Sequence, residues 1–176
     1  SEYPDFFLNM DVFDAKVVKG TLNINKEVHM NAGWYTIEEC LKMKWCPADI
    51  PIVEEMHMRD KYPFFNSVEA NMVPSNPKYK DIKDVRHLYD LLDDCWGPDT
   101  CSFRVKDVWS KADKTYCQCA PTAFLVQDVF GGDVLGTPIG GGIIHFFNKV
   151  DGVIFDLASE QFHGAFIDYD NCTIKP

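Results

Sequence analysis

The stretch YCQCAPTAFLVQDVFGG, residues 116–132, places a cysteine at the start of a short apolar segment that two glycines end. Its run of apolar residues predicts a helix over 120–130, with Cys119 at its N-terminus. The N-terminus of a helix carries unpaired N–H donors and a partial positive charge, so it favours a thiolate over a thiol. Cys119 is therefore the candidate nucleophile of a cysteine hydrolase or transferase.

Farther along the chain, the dipeptide Asp-Gly at 151–152 is a strong signal for a two-residue hairpin turn between two apolar segments. A two-residue loop pairs Phe147 with Asp156. Because side chains alternate along a strand, His145 and Asp156 then become diagonal neighbours on one face of the sheet. Diagonal neighbours lie about 7–8 Å apart at the backbone, a distance that an imidazole and a carboxylate can bridge. A three-residue loop would reverse the alternation and separate them.

These residues form a candidate Cys-His-Asp triad. Cys119 would attack a carbonyl carbon, and His145 would take the thiol proton and return it to the leaving group. Asp156 would fix the imidazole tautomer and stabilise the imidazolium. The backbone N–H of Cys119 would be one donor to the oxyanion, and a second donor is required. The candidates for the second donor are side-chain N–H groups: Gln118, Trp96 and Trp109.

Each triad residue also has a purely structural interpretation. A cysteine on an apolar helix is more often a small buried hydrophobe than a nucleophile. His145 lies between two apolar residues and would be a satisfied core histidine, and Asp156 would cap a loop. The joint pattern of the three residues, in this order and setting, favours catalysis.

Two non-catalytic alternatives use the same cysteines. Cys117 and Cys119 offer sulfur ligands for a structural zinc, although a single intervening residue is fewer than the usual two or more. In a non-catalytic binding module, the thiol would instead be a redox sensor, with Cys117 or Cys101 resolving an oxidised Cys119. In the zinc alternative, the other ligands would come from outside the pair Cys117 and Cys119. The candidates for these ligands are Cys95, Cys101, His145 and His163.

The whole chain has the composition of an ordinary globular protein, with 176 residues, 46% of them apolar and 25% charged. Its net charge of −10 argues against nucleic-acid partners, since phosphate contacts need an excess of Lys and Arg. No apolar run is long enough to span a bilayer, and the start is no signal peptide. Seven cysteines, an odd number, indicate reduced thiols in a cytoplasmic protein. We expect a small-molecule or peptide amide substrate and no cofactor.

Hydrophobic periodicity predicts an α+β protein in which the nucleophile helix packs on a small antiparallel sheet. An N-terminal α+β segment over 1–75 would precede a thiol domain over 76–176. The glycine-rich run 136–142 is predicted to be a flexible loop, a lid before the histidine strand. The predicted elements, in chain order, are strands over 12–18 and 22–28, helices over 36–44 and 51–59, a loop over 62–77, an amphipathic helix through 82–92, the site helix, strands near 133–136, 142–148 and 153–157, and a turn at 159–162.

Several separated motifs between residues 95 and 162 carry a family resemblance. They are CWGPDT (95–100), WS (109–110), QCA (118–120), VQDVFGG (126–132), HFFN (145–148) and FDLASEQF (155–162). This part of the chain resembles the YunG-like family of small bacterial proteins. That family has no firmly assigned activity, so the resemblance names relatives and not a reaction.

The cysteine that opens a helix, followed by a strand histidine and a strand aspartate, is also similar to the transglutaminase-like and papain-like thiol enzymes. This local likeness implies a papain- or transglutaminase-like core and acyl transfer through a thioester, as an amidase, a peptidase or an amide-exchanging transferase. The papain pattern has a glutamine several residues before the cysteine as oxyanion donor. This chain has Asp-Lys-Thr at 113–115 in that region.

The N-terminal half contains FDAKVVKG (13–20), NKEV (25–28) and GWYTIEE (33–39), which look like the back half of a Nudix domain. In that family such a segment supplies late strands and the helix after them. The Mg²⁺-binding Nudix box is not found in these residues, so we predict no Nudix hydrolysis. The resemblance implies a fragment of a longer protein or a fold that has lost its metal helix. A generic support for the second half explains the segment equally well.

Overall fold

A computed structural model describes residues 2–3, 6–7, 9–13, 15–21, 23–27, 32–101 and 105–172. The chain forms two compact units, Ser1–Lys61 and Tyr62–Pro176. The predicted boundary lies after residue 75, whereas the two units divide after Lys61. Residues 62–75 belong to the second unit because they pack within it: the rings of Phe64 and Tyr89 lie 5.0 Å apart, and Asn66 donates to the carbonyl of Ile154 at 2.8 Å.

The described residues of the first unit form two very short strands and two helices. Strands β1 (Glu2–Tyr3) and β2 (Phe6–Phe7) pair antiparallel. Helix α1 (Ile37–Cys40) begins with a capping box, in which the Thr36 side chain accepts the N–H of Glu39 at 3.3 Å and the Glu39 side chain accepts the N–H of Thr36 at 2.8 Å. Helix α2 (Ile50–Lys61) covers the predicted 51–59. Helix α1 is shorter than the predicted 36–44.

The strands predicted over 12–18 and 22–28 are wrong for the residues described there, which have irregular structure. Residues 14, 22 and 28 lie outside the described part of the chain. The side chains of Phe13 and Val18 are 82% and 90% exposed. An alternating pattern forms a strand only where a partner strand and a buried face support it. The described residues of 12–18 have no such buried face.

The second unit has the predicted α+β class. Helices α3 (Val85–Cys95) and α4 (Cys119–Phe130) precede strands β3 (Asp133–Gly140), β4 (Ile143–Val150) and β5 (Val153–Phe155). The strands form one antiparallel sheet in the order β3-β4-β5. Where the structure describes this unit, it also has three short 3₁₀ helices: Pro77–Tyr79, Lys106–Val108 and Ser159–Phe162.

The loop predicted over 136–142 is largely strand, since β3 continues to Gly140. A shift in pairing register between Pro138 and Gly140 absorbs the irregularity of this sequence. The turn itself is confined to Gly141 and Gly142. These two residues have φ angles of 59° and 75°, a region that glycine adopts readily. Strand β3 therefore pairs directly with the strand that carries His145.

Helix α4 packs on the sheet through its buried residues, which are Thr122, Ala123, Val126, Val129 and Phe130. A hydrogen bond from Asn148 of β4 to the carbonyl of Ala123 measures 2.9 Å and fixes the helix on the strand. Gly131 ends the helix with a φ of 77°. At Gly132, a Cβ atom would lie 2.3 Å from the carbonyl oxygen of Lys149, so only glycine lets β3 start this close to β4. None of the described helices is both long enough and apolar enough to cross a membrane.

Candidate active site

The β4–β5 hairpin has the register expected from a two-residue turn. Asn148 pairs with Phe155, and Asp151 and Gly152 form the turn with φ angles of 48° and 87°. The Nε2 atom of His145 lies 2.6 Å from Oδ2 of Asp156. Both residues are buried, with 1% and 2% of their surface exposed. The structure thus brings these two predicted site residues into direct contact.

The carboxylate of Asp156 has three hydrogen-bond partners. Its Oδ1 accepts the N–H of Ala158 at 2.9 Å, and its Oδ2 accepts the hydroxyl of Tyr169 at 2.8 Å as well as His145. The Tyr169 ring stacks on Phe65 at 3.9 Å. Tyr169 was missed by sequence analysis, because it lies in an irregular segment where no periodicity indicates which way a side chain faces.

Opposing effects act on the pKa of His145. Burial disfavours the charged ring and by itself would lower the pKa, but the interactions with Asp156 and Cys119 outweigh it and raise the pKa to about 9. Phe162 meets the ring edge-on at 4.6 Å and contributes to its burial. Since Asp156 occupies Nε2, the nitrogen that remains for Cys119 is Nδ1. Nδ1 is buried and has no hydrogen-bond partner in the described part of the chain.

Cys119 is the first residue of α4 and is partly exposed. The first hydrogen bond of this helix runs from the N–H of Thr122 to the carbonyl of Gln118 at 3.0 Å, and Pro121 has no N–H. The N–H groups of Cys119 and Ala120 make no hydrogen bond with the residues described. Two adjacent backbone donors beside the sulfur are therefore available to an oxyanion. The sequence alone predicts only the first of these donors, the N–H of Cys119.

The three side chains predicted as second oxyanion donors all donate to groups of the protein. The indole N–H of Trp96 bonds the hydroxyl of Thr122 at 3.1 Å, and that of Trp109 bonds the carbonyl of Lys114 at 2.9 Å. The amide of Gln118, which is fully buried, donates to the carbonyl of Gly97 at 3.0 Å. Buried donors are satisfied by nearby acceptors, and the sequence does not show which acceptors are near.

A model of the family described as "YunG protein" matches residues 84–175. The chain belongs to the YunG family. It is 32% identical over 87 residues to the uncharacterized protein YunG of Bacillus subtilis (strain 168), an alignment that covers 49% of this chain and 70% of that protein. No solved structure matches the chain.

The YunG match includes α3, α4, the three-stranded sheet and the whole candidate triad. It confirms the resemblance seen in the C-terminal half of the sequence. The likeness to thiol enzymes stays a prediction. The Nudix-like motifs lie before the YunG match, so their resemblance stays a prediction as well.

Three cysteines lie near one another before and at the start of α4. The thiol of Cys101 points to the carbonyls of Tyr116 and Cys117, at 3.7 and 3.6 Å. Burial, reinforced by the neighbouring Cys101 and Cys119, raises the pKa of Cys117 to about 11. Cys117 is thus held as a thiol at neutral pH. Its φ of 63° is unusual for a residue with a side chain.

No arrangement of the described residues supports the predicted zinc alternative. Within the described ranges, no three His, Cys, Asp or Glu side chains are placed to hold a metal ion together. Cys95 is exposed, and His163 pairs with Asp113 at 3.2 Å. In the described part of the chain, the residues proposed as further ligands therefore do not form a metal-binding group with Cys117 and Cys119.

Proposed function

We propose that this YunG-family chain is a cysteine-dependent enzyme that hydrolyses an amide or transfers its acyl group through a thioester. The observation that carries the proposal is the buried 2.6 Å contact between His145 and Asp156, combined with the effect of Cys119 on the same imidazole. A nucleophile, a base and a group that orients the base are the parts that such catalysis requires.

The proposed reaction starts with transfer of the Cys119 proton to Nδ1 of His145. The raised pKa of His145 favours the resulting imidazolium at neutral pH. The sulfur then attacks the carbonyl carbon of the amide, and the backbone N–H groups of Cys119 and Ala120 bind the oxyanion. His145 returns its proton to the amine as the carbon–nitrogen bond breaks, which leaves a thioester on Cys119.

In the second half of the reaction, His145 removes a proton from water or from an acceptor amine. That nucleophile attacks the thioester, and the thiol is regenerated as the acyl product leaves. Asp156 does not change its protonation state in these steps. It keeps Nε2 protonated and so directs Nδ1 toward the sulfur. The substrate would be a small-molecule or peptide amide, and a thiol nucleophile suits the reduced cytoplasm that we propose as the location.

The first test is the pH dependence of iodoacetamide alkylation at Cys119, followed by mass spectrometry. In the wild type we expect fast labelling at pH 6–7. In His145→Ala the rate should fall at least about tenfold, because the group that takes the thiol proton is gone. Asp156→Asn should give an intermediate loss, since the imidazole remains but is no longer oriented.

Cys46 is exposed and serves as a reference thiol in the same sample. Its labelling should be equal in all three proteins. If Cys119 labels at the same rate in the wild type and in His145→Ala, or labels only above pH ~8 like an ordinary thiol, the nucleophile proposal fails.

The grouping of Cys101, Cys117 and Cys119 favours a second candidate function, a peroxide sensor. The thiolate of Cys119 would attack hydrogen peroxide and break its O–O bond. This gives a sulfenic acid on Cys119 and a hydroxide, which takes up a proton and leaves as water. A second thiol, Cys101, would then attack the sulfenate sulfur and release water as a disulfide forms. Peroxide treatment followed by peptide mapping should reveal a bond between Cys101 and Cys119 that Cys101→Ser prevents. If neither a sulfenate nor a disulfide forms at Cys119, the sensor function is excluded.

A further inference from the structure

A cavity of about 250 Å³ lies in the second unit, between the C-terminal part of α3, residues 111–115 and the 3₁₀ helix Ser159–Phe162. This volume is below the roughly 300–1,000 Å³ of pockets for drug-sized ligands, so the cavity would take a small molecule. Its wall is mostly polar. The charged side chains that line it are Asp93, Lys111, Asp113, Lys114, Glu160 and His163.

Most of these charges are paired. Lys114 lies 2.6 Å from Asp93 and also donates to the carbonyl of that residue. Asp113 pairs with His163, whose Nε2 atom lies 3.2 Å from the Asp113 Oδ2 atom. These two contacts satisfy four of the six charged groups.

The remaining two groups, Glu160 and Lys111, have no partner of opposite charge in the described residues. The carboxylate of Glu160 accepts the hydroxyl of Tyr89, a neutral group. Lys111 is exposed and forms no hydrogen bond or ion pair within the described part of the chain. The cavity therefore presents one uncompensated negative charge and one uncompensated positive charge to whatever enters it.

A second, independent observation concerns a buried hydroxyl group in the wall of this cavity. Thr115 lines the same cavity and is only 3% exposed, yet its hydroxyl has no hydrogen-bond partner among the residues described. The large majority of buried polar atoms in proteins are bonded. Leaving one unpaired is unfavourable, because the buried atom has lost its hydrogen bonds with water. A polar ligand in the cavity would supply the missing partner.

We propose that this cavity binds a small zwitterion of the size of a free amino acid. Its ammonium group would lie at Glu160, and its carboxylate at Lys111 and the hydroxyl of Thr115. The proposal goes beyond the reaction at Cys119 and does not depend on it. The occupant would nevertheless lie close to the start of α4, because Trp96 lines the cavity and bonds Thr122 of that helix.

The test is a titration of the ¹⁵N-labelled protein followed by NMR, with glycine, L-alanine, L-glutamine and L-lysine as probes. At least one should give saturable shifts at the amides of Thr115 and Glu160. L-Alaninamide and propionate, each lacking one of the two charges, serve as matched controls for L-alanine at equal ionic strength. A zwitterion should bind at least about tenfold more tightly than its singly charged analogues, since each loses one charge-assisted hydrogen bond.

Two variants test the assigned contacts. Glu160→Gln keeps an acceptor for Tyr89 but removes the negative charge, and Lys111→Gln removes the positive charge. Each should weaken binding about tenfold, whereas Lys80→Gln, an exposed lysine outside the cavity, should have no effect. Cys119→Ala should bind as the wild type does, which separates this proposal from the fate of the proposed enzyme. The inference is overturned if none of the four amino acids binds saturably, or if both cavity variants bind as well as the wild type.

Discussion

The two units of this chain differ in what they bury. Among the described side chains of Ser1–Lys61, Val53 alone is buried. In Tyr62–Pro176 the buried residues include apolar side chains such as Phe147 and Phe155, and also the polar pair His145 and Asp156. The groups that carry the proposed chemistry lie where the packing is dense. A close-packed surrounding allows only one geometry for a polar pair, which a solvated surface does not.

The difference between the two units also concerns the free energy of burying ionisable groups. Burying an ionisable group is unfavourable unless it is paired and hydrogen-bonded. In the second unit, the carboxylate of Asp156 meets this condition with three partners: His145, Tyr169 and the N–H of Ala158. The surrounding apolar core offsets the remaining cost.

The largest effect is expected from removing a buried ring. Phe155→Ala should lower the free energy of unfolding by about 3–5 kcal/mol, because it removes a side chain with no exposed surface and leaves a cavity. The matched change in the first unit, Phe13→Ala, should alter it by less than about 0.5 kcal/mol, since that ring is already in water. Urea unfolding followed by circular dichroism measures both. Equal losses would contradict the contrast between the units.

The pH dependence of the unfolding free energy should reveal the protonation of His145 in its buried pair with Asp156. The folded-state pKa of His145 is about 9, above its ordinary value of 6.5, so the folded protein binds this proton more tightly than the unfolded chain does. The resulting stabilisation is fully present below about pH 6.5 and is lost as the pH rises through about 9. Relative to His145→Gln, the wild type should lose on the order of 3 kcal/mol between pH 6 and pH 9.5.

Two further variants separate this effect from a general loss of stability. Asp156→Asn removes the main group that raises the pKa of His145, so its unfolding free energy should depend less on pH. Phe155→Leu weakens the core but keeps the pair, and its pH dependence should match that of the wild type. A wild-type profile that coincides with that of His145→Gln would show that the pair does not hold a proton in the folded state.

A smaller effect should follow from removing one hydroxyl. Tyr169→Phe keeps the stacking on Phe65 but deletes the hydrogen bond to Asp156. We expect a loss of about 1.5 kcal/mol in unfolding free energy, in the range for bonds to charged groups, and a smaller change in Cys119 alkylation than in His145→Ala. Tyr35→Phe is the control in the first unit and should be nearly neutral. If the two changes cost the same, the Tyr169 hydroxyl does not support the site.

The smallest effect on the unfolding free energy is expected from removing helix caps, one in each unit. Asp84 caps α3 by accepting the N–H of His87 at 2.8 Å, and Asp84→Ala should cost about 1 kcal/mol. Thr36→Ala removes the cap of α1, which has only four residues. So short a helix has little cooperative stability of its own, and we expect less than about 0.5 kcal/mol. Urea unfolding of both variants measures the difference, and a larger loss in Thr36→Ala would mean that the first unit is more cooperative than its exposure suggests.

The sequence predicts those parts of the molecule that depend on local rules. The Asp-Gly turn at 151–152 determines the hairpin register, and the two glycines at 131–132 determine where α4 ends. The contact between His145 and Asp156 follows from the first of these rules together with the alternation of side chains.

The features that the sequence did not predict depend on long-range packing. Tyr169 reaches Asp156 from an irregular segment, and the indole of Trp96 finds Thr122, which is 26 residues away. In the first unit, the alternation of apolar and polar residues around Phe13 predicts a strand. Such a pattern does not form a strand unless the apolar face packs against a partner. The cavity beside Thr115 was not foreseen either, since three separate segments line it.

The hairpin turn also has a consequence for how the family can diverge. Inserting one residue at Asp151-Gly152 would shift the pairing of the following segment with β4 by one residue and so exchange its two faces. Asp156 would then face away from His145, although both residues remained in the sequence. A descendant could thus become a non-catalytic protein through a single insertion and still match every motif of an active enzyme. The length of this turn is therefore a better guide than the triad residues to which members of the family keep the proposed activity.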